Sequence, residues 1–206
     1  MNTLTVGDII TNAIQIGLKN MVNLVGAVIL WLVTIWIPYL NVGTTIGIYN
    51  LVLAMSRDEP FTPTEIFDPK YRKYMGEFFL LMGFMFFGVY IGLAFFIIPG
   101  LVISIAWGMA IYIMFDKDIS PLEAIKLSNE ITYGEKWTIF LGTFALVIVL
   151  YVALFILFWI FSKIAVILAY LVMLVGYVVI ISIVLGAYAY IYRILSQKLS
   201  QAAPVA

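Results

Sequence analysis

Ser120-Pro121-Leu122-Glu123-Ala124-Ile125-Lys126-Leu127-Ser128-Asn129-Glu130-Ile131-Thr132-Tyr133-Gly134-Glu135-Lys136-Trp137 is the longest polar interruption in the second half of this chain. It predicts a surface helix. Ser120 is a cap, Pro121 takes the first helical position, where no N–H is needed, and Glu123 is placed to reach back to the Ser120 N–H. Glu123, Lys126 and Glu130 share one face; Ala124, Leu127 and Ile131 share another. Such a helix is expected to lie flat on a membrane surface and to deliver Trp137 into the next span.

The chain around this stretch belongs to a membrane. Of its 206 residues 65% are hydrophobic and 11% charged, with a formal net charge of +0. A soluble domain is roughly half apolar and about a quarter charged. Neutral charge gives no reason to expect a nucleic-acid partner. His and Cys are absent, which removes disulfides, thiolate nucleophiles, most zinc and iron sites and the usual proton shuttle. No Lys or Arg precedes the first apolar stretch, so the first span is expected to target the protein and stay in it.

Two earlier segments repeat the entry device. Thr5-Val6-Gly7-Asp8 is a weaker cap, followed by a polar stripe of Asp8, Thr11, Asn12, Gln15 and Lys19 opposite Val6, Ile9, Ile10, Ala13 and Gly17. Thr62-Pro63-Thr64-Glu65 is a full capping box, and Asp68-Pro69 restarts the brief helix behind it. The caps at Thr5, Thr62 and Ser120 stand 57 and 58 residues apart. Each leads to a span, a short turn and a returning span. The predicted arms are 21–37 and 44–55 around Pro38–Gly43, 78–97 and 101–115 around Ile98-Pro99-Gly100, and 137–161 and 164–192 around Ser162-Lys163. The expectation is an all-α membrane protein of one domain, residues 1–206. About six transmembrane helices form three hairpins, each preceded by a cytoplasmic interfacial amphipathic helix, in a threefold repeat of units 5–58, 62–117 and 120–195. The 21–55 arms fall short of the ~20 residues of an ordinary crossing. A thin crossing hairpin and a re-entrant pair both fit; the uncharged turn favours crossing.

Lys19, Arg57, Lys70, Arg72, Lys73, Lys117, Lys126, Lys136, Arg193 and Lys198 fall on the side of the termini, and only Lys163 falls opposite. The positive-inside rule then places both termini in the cytoplasm.

The predicted spans hold no Asp, Glu, Lys or Arg away from their ends. That counts against proton coupling and leaves an intramembrane hydrolase without an obvious acid or base. No cofactor is expected. Asn50 is the most polar side chain inside an arm: either an interhelical hydrogen bond or a polar point in a cavity. Tyr170 and Tyr177 lie on one face of the last helix, with bundle packing and cavity lining as their two readings. Lys70, Arg72 and Lys73 form a basic cluster suited to lipid headgroups, diluted by Asp68 and Glu77. Glu123, Lys126 and Glu130 are the candidate partner contacts on the opening helix. Gly43…Gly47 and Gly88…Gly92 are GxxxG pairs that permit close helix approach within one chain or in a homo-oligomer.

Four segments carry a family resemblance: Ile97-Ile98-Pro99-Gly100-Leu101, Met114-Phe115-Asp116, Ser120 to Ser128, and Gly134-Glu135-Lys136-Trp137. Their pattern resembles the membrane domain found beside some bacterial glycerophosphodiester phosphodiesterases, and related stand-alone multi-pass families of unknown function. In the fused proteins the phosphodiesterase activity belongs to a separate soluble domain, which nothing here matches, so the resemblance implies no catalytic residue. It implies a protein of the bacterial cytoplasmic (inner) membrane. The reading that follows is a non-enzymatic integral membrane scaffold with lipids and a membrane-protein partner or a second copy as its contacts. The alternative is a small channel, or a carrier or scramblase for lipid or an apolar solute.

Overall fold

The computed structural model describes residues 4–202, with side chains as far as Leu199. All regular structure in that range is helical: α1 Val6–Lys19, α2 Met21–Thr34, α3 Pro38–Ser56, α4 Met75–Phe95, α5 Ile97–Trp107, α6 Ala110–Lys117, α7 Pro121–Ile131, α8 Lys136–Ser162 and α9 Val166–Ala202, with 3₁₀ segments at Pro63–Phe67 and Pro69–Tyr74. Four stretches are long and apolar enough to cross a membrane: Pro69–Phe95, Ile97–Lys117, Lys136–Ser162 and Val166–Leu199. The pair α1 and α2, bent by 74° at Asn20, makes a fifth when counted as one span.

The caps start helices where the sequence places them. Thr5 Oγ1 accepts the Asp8 N–H at 3.1 Å, and Ser120 Oγ accepts the Glu123 N–H at 3.3 Å. The Thr62 N–H donates to Glu65 Oε1 at 2.7 Å. The return bond from the Glu123 carboxylate to Ser120 is not formed, so the third cap is one-sided. The segment behind the middle cap differs from expectation. It is two 3₁₀ turns, because Asp68-Pro69 interrupts the chain five residues after Pro63 and a proline ring obstructs an α-helical turn before it.

The hairpin turns also shift. Pro38 is the first residue of α3 rather than part of a turn, and the reversal falls at Ile35-Trp36-Ile37. Pro99 sits in the first turn of α5, and the reversal falls at Phe96, which is extended. In both places proline occupies a position whose N–H has no helical acceptor. The returning arm after Pro99 is itself broken, between Trp107 and Ala110.

The main core lies at the termini end of the molecule. Ile46, Leu51, Val52 and Met55 of α3, Ile66 and Tyr71 of the 3₁₀ segments, Ile113 and Met114 of α6, Ala124 and Ile131 of α7, and Ile191, Tyr192 and Leu195 of α9 form one buried cluster. A smaller cluster of Ala13, Leu146, Ile183 and Ala187 marks where α1 crosses α8 and α9. There Gly17 and Gly186 face one another's backbones: a Cβ on Gly17 would lie 2.6 Å from the Ile183 Cα, and one on Gly186 2.6 Å from the Ala13 carbonyl oxygen. Thus α1 spends its apolar stripe on α8 and α9 rather than leaving it open. Beyond this base, α4 pairs with α5 and α8 with α9, and the substantial contact between the two hairpins is α5 on α8. Of the most apolar stretch of α8, 11% is buried within the chain, so the hairpin presents its side chains outward.

Hydrogen bonds between side chains close the short α2–α3 hairpin. Trp31 Nε1 donates to Thr45 Oγ1 at 2.8 Å, Thr45 Oγ1 donates to Asn41 Oδ1 at 3.0 Å, and the Thr34 and Thr44 hydroxyls bond at 3.0 Å. Each such bond satisfies two polar groups among apolar neighbours.

Candidate functional site

Two helices end together against the C-terminal part of a third, α9, at the polar end of the molecule. α3 stops at Ser56 and α6 at Lys117. Each is followed within two residues by an aspartate in the left-handed region, Asp58 with φ 60° and Asp118 with φ 51°. Aspartate tolerates that conformation better than most side chains. Both reversals throw a basic residue, Arg57 or Lys117, toward the C-terminal half of α9.

Arg193 of α9 fixes the arrangement. Its Nε donates to the Ser56 carbonyl oxygen at 2.6 Å and its Nη2 to the Met55 carbonyl oxygen at 2.9 Å. These carbonyls belong to the last turn of α3, where the helix carries partial negative charge; the Met55 carbonyl also accepts the Asp58 N–H at 3.2 Å. A guanidinium fork supplies both donors in one plane. Arg57 pairs with Asp116, and Lys117 Nζ lies 3.2 Å from the other Asp116 oxygen. Glu59 stands 3.9 Å from Arg57, and Lys19 Nζ meets Asp58 at 2.6 Å. The Lys19 hydrogen bond holds the exposed Asp58 carboxyl below the usual carboxylate range.

Beside these groups lies an open cavity of about 480 Å³ lined by Ser56, Arg57, Asp116, Lys117, Tyr192, Arg193, Ser196 and Gln197. Its lining carries three formal positive charges and one negative. Tyr192 is 2% exposed, and its hydroxyl has no hydrogen-bond partner among the described residues. The site is polar, cationic on balance, and built at the ends of rigid elements.

A second polar joint lies under α7. The break between α5 and α6 frees the Ala106 carbonyl and the Met109 N–H. Ser128 Oγ donates to the first at 2.6 Å and accepts from the second at 3.2 Å. Thr132 Oγ1 donates to the Ser128 carbonyl of its own helix at 2.8 Å and lies 3.4 Å from the Ala106 carbonyl. Both side chains are fully buried. This joint is structural: every donor and acceptor in it is used.

The residues singled out from sequence are dispersed. Asn50 donates to the Ile46 carbonyl of its own helix at 3.0 Å, not to a neighbour, and it is half-buried. Tyr177 lines an apolar groove of about 390 Å³ with Tyr151, Leu154, Phe155, Phe158 and Met173. Tyr170 is 65% exposed and packs its ring edge-on against Phe158. Asn50 does not line that groove, so the structure does not bring Asn50 and Tyr177 to one cavity. Lys70 pairs with Asp68 at 2.9 Å and lies over the Tyr71 ring; Lys73 pairs with Asp118 at 3.6 Å and lies over Tyr74. Arg72 is exposed, with no ion pair among the described residues. Glu123, Lys126 and Glu130 are exposed together on the outer face of α7.

Sequence reasoning missed Arg57, Asp116, Lys117, Tyr192 and Arg193 as one site. One signal was available. Arg193 sits inside the helical run, nine residues before α9 ends at Ala202, directly after a span read as ending at Tyr192. An arginine there needs acceptors, and helix-end carbonyls supply them. The repeated pairs Arg57-Asp58 and Lys117-Asp118 were a further sign that two helices end alike.

Among the described residues no group of three His, Cys, Asp or Glu side chains is placed to hold a metal ion. Comparison with protein-family models, with curated proteins and with solved structures finds no match to this chain.

Proposed function

We propose that this chain is a multi-pass protein of the bacterial cytoplasmic membrane, with both termini in the cytoplasm, that acts as a non-enzymatic scaffold for a membrane partner or a second copy of itself. The observation behind this reading is the contrast between base and hairpins. The base is tied by Arg193, Ser128, Lys198 and the ion pairs around Arg57. The α4–α5 and α8–α9 hairpins meet one another mainly through α5 and α8 and turn whole aromatic and aliphatic faces outward. In lipid such faces are stable alone. They also accept other helices through close packing without rearrangement of the base. The resemblance to the phosphodiesterase-associated membrane domain suits the same role.

The finer topology is part of the proposal. The 14 residues of α2 span about 21 Å and the 19 of α3 about 28 Å. Trp36 at 86% exposure and Tyr39 at 65% stand at the tip between them, the anchors expected at the far interface of a thin crossing. Six crossings in three hairpins follow, with α1 and α7 on the cytoplasmic face. The matched ends Arg57-Asp58 and Lys117-Asp118 favour a repeat of the first two units. The chain has no cysteine, so single replacements report cleanly. Trp36→Cys and Lys163→Cys are expected to react with an impermeant maleimide from outside the cell, and Glu123→Cys only after lysis. Labelling of Glu123→Cys from outside defeats the orientation.

Gentle detergent extraction followed by mass determination tests the scaffold itself. A defined oligomer or a stoichiometric partner is expected; a bare monomer under every mild condition refutes it. The carrier or scramblase reading has one observation of its own, a cavity of about 470 Å³ between α8 and α9 lined by Leu150, Leu154, Leu171, Val175 and Gly176 among others. It is apolar throughout, a seat for an acyl chain without a path for its headgroup. Liposome scrambling assays separate the two.

A further inference from the structure

We infer that this protein acts on the bilayer itself, thinning it along the flank where the α2–α3 hairpin meets lipid. The inference rests on the crossing of that hairpin proposed above. A polar collar sets how much of the hairpin is left for hydrocarbon. The 3₁₀ turns between α3 and α4 lie against both of its arms. Asn23 Nδ2 donates to the Phe61 carbonyl at 2.9 Å. A Cβ on Gly26 would lie 2.8 Å from the Pro63 ring, and one on Gly47 2.6 Å from the Ile66 Cα. Arg72 comes nearest the tip, with its Cγ 4.0 Å from where a Gly43 Cβ would lie. Thr62, Thr64, Lys70, Arg72 and Lys73 of this segment are exposed, and exposed cations belong with headgroups and water. Beyond the collar, Thr34 stands only about 12 Å along α2 from Gly26, and Pro38 about 8 Å along α3 from Gly43. An ordinary hydrocarbon core is about 30 Å thick.

The tip of this short rod is not built to end in hydrocarbon. Pro38 is the first residue of α3, so the N–H groups of Tyr39 and Leu40 have no helical acceptor. Irregular backbone facing lipid leaves such groups without a partner, and membrane proteins avoid it. Polar side chains gather in the same short length. The Thr34–Thr44 and Trp31–Thr45–Asn41 bonds lie there, and Asn41 Nδ2 donates to the Ile35 carbonyl at 3.0 Å. The close contacts at Gly26 and Gly47 seat the hairpin on its collar, so it has no freedom to slide outward. On the other flank α8 runs 27 residues, about 40 Å, from Lys136 to Ser162, with Lys163 beyond it. Tilt can shorten the reach of α8, but it cannot extend α2–α3 past its own length. The lipid therefore adjusts: headgroups and water of the far leaflet come down to Trp36 and Tyr39. One molecule thus borders bilayer of two thicknesses.

The test uses the purified full chain with one cysteine at a time: Trp36→Cys or Tyr39→Cys at the tip, Lys163→Cys on the long hairpin, and Glu123→Cys on the cytoplasmic face. Each is reconstituted in vesicles of dimyristoleoyl, dioleoyl or dierucoyl phosphatidylcholine, which differ in chain length alone. Vesicles that bind an antibody to a C-terminal tag are removed, so the hairpin tips face outward. Reaction with an impermeant maleimide then follows, with Lys163→Cys as the reactive reference and Glu123→Cys as the protected one. In dioleoyl vesicles the tip cysteines are expected to react like Lys163→Cys, although the unperturbed core is far thicker than their hairpin. In dierucoyl vesicles the tip rate is expected to fall about tenfold, because more thinning is required, while the Lys163→Cys rate holds. If Trp36→Cys does not fold, Tyr39→Cys decides. Tip rates equal in all three lipids overturn the thinning and leave the crossing intact. A Lys163→Cys rate that falls in parallel overturns it too, since the effect is then not confined to this flank. Tip cysteines as protected as Glu123→Cys in every lipid refute the crossing itself, and the hairpin is then a re-entrant one within the near leaflet.

Discussion

Ser128→Ala removes one oxygen from a fully buried position and exposes the logic of the whole returning arm. That oxygen bridges the gap between α5 and α6, donating to the Ala106 carbonyl at 2.6 Å and accepting the Met109 N–H at 3.2 Å. Alanine fits the space without a clash, so the effect is one of lost bonds. The Met109 N–H is left with no partner. The Ala106 carbonyl keeps only Thr132 Oγ1 at 3.4 Å, a weak contact because the one Thr132 hydroxyl hydrogen is shared with the Ser128 carbonyl at 2.8 Å. A buried backbone group left unsatisfied costs about 1–3 kcal/mol. One group lost outright and a second left with a weak bond sum to about 2–4 kcal/mol. Equilibrium unfolding in mixed micelles, followed by circular dichroism, measures this directly. Two companions sharpen it. Ser162→Ala removes a hydroxyl that bonds only the Trp159 carbonyl within its own helix at 2.8 Å, and a change within about 0.5 kcal/mol is expected. Thr132→Val combined with Ser128→Ala leaves Ala106 bare. The pair is therefore expected to deviate from the sum of the single variants by roughly 1 kcal/mol, since both act on one acceptor. A Ser128→Ala protein within about 0.5 kcal/mol of wild type would refute the reasoning, because it would mean that the break is satisfied without α7.

Two further perturbations address the α1 crossing and the charged rim. Gly17→Ala places a Cβ 2.6 Å from the Ile183 Cα, which is backbone and cannot swing away, so α1 must lift from α9. A loss of about 1–3 kcal/mol is expected in the same unfolding assay. Gly83→Ala meets nothing within 4 Å and is expected to be neutral or stabilising by up to about 1 kcal/mol through helix propensity. Equal effects at the two glycines would deny the close crossing. Asp58 has its folded pKa depressed by Lys19. Its contribution is therefore present in full above the unfolded carboxylate pKa and is lost as pH falls through the lower folded value. Asp58→Asn is expected to remove a small part of the decline in unfolding temperature below about pH 4, with little change at neutral pH because the pair is exposed. An unchanged acid profile would show that Lys19 and Asp58 do not interact in solution.

What the sequence reveals and conceals follows from the range of each interaction. A cap acts over three residues, so Thr5, Thr62 and Ser120 are readable as helix starts and are found as such. Long apolar runs are equally local, and they announce the membrane class. Proline was readable too, but only by one consistent rule. Pro38, Pro63, Pro69, Pro99 and Pro121 all lie within the first three residues of a helical segment. Treating Pro63 and Pro121 as helix starts while treating Pro38 and Pro99 as turns misplaced two reversals by a few residues. The charged cavity was beyond reach because its parts come from residues 56–57, 116–117 and 192–197, and only the packing of α3, α6 and α9 brings them together.

The stretch from Ser120 to Trp137 joins the two kinds of information. Its outward face, Glu123, Lys126 and Glu130, follows from helical period alone. Its inward face reads as apolar through Ala124 and Ile131, yet Ser128 lies four residues beyond the first and Thr132 directly after the second. Thr132 satisfies its hydroxyl on the Ser128 carbonyl of its own turn at 2.8 Å, whereas Ser128 takes its partners from the opposing surface, a backbone break without helical partners. The sequence thus holds one half of that statement. The other half, a helix broken at Gly108 some 20 residues earlier, is a consequence of α7 being there to seal it.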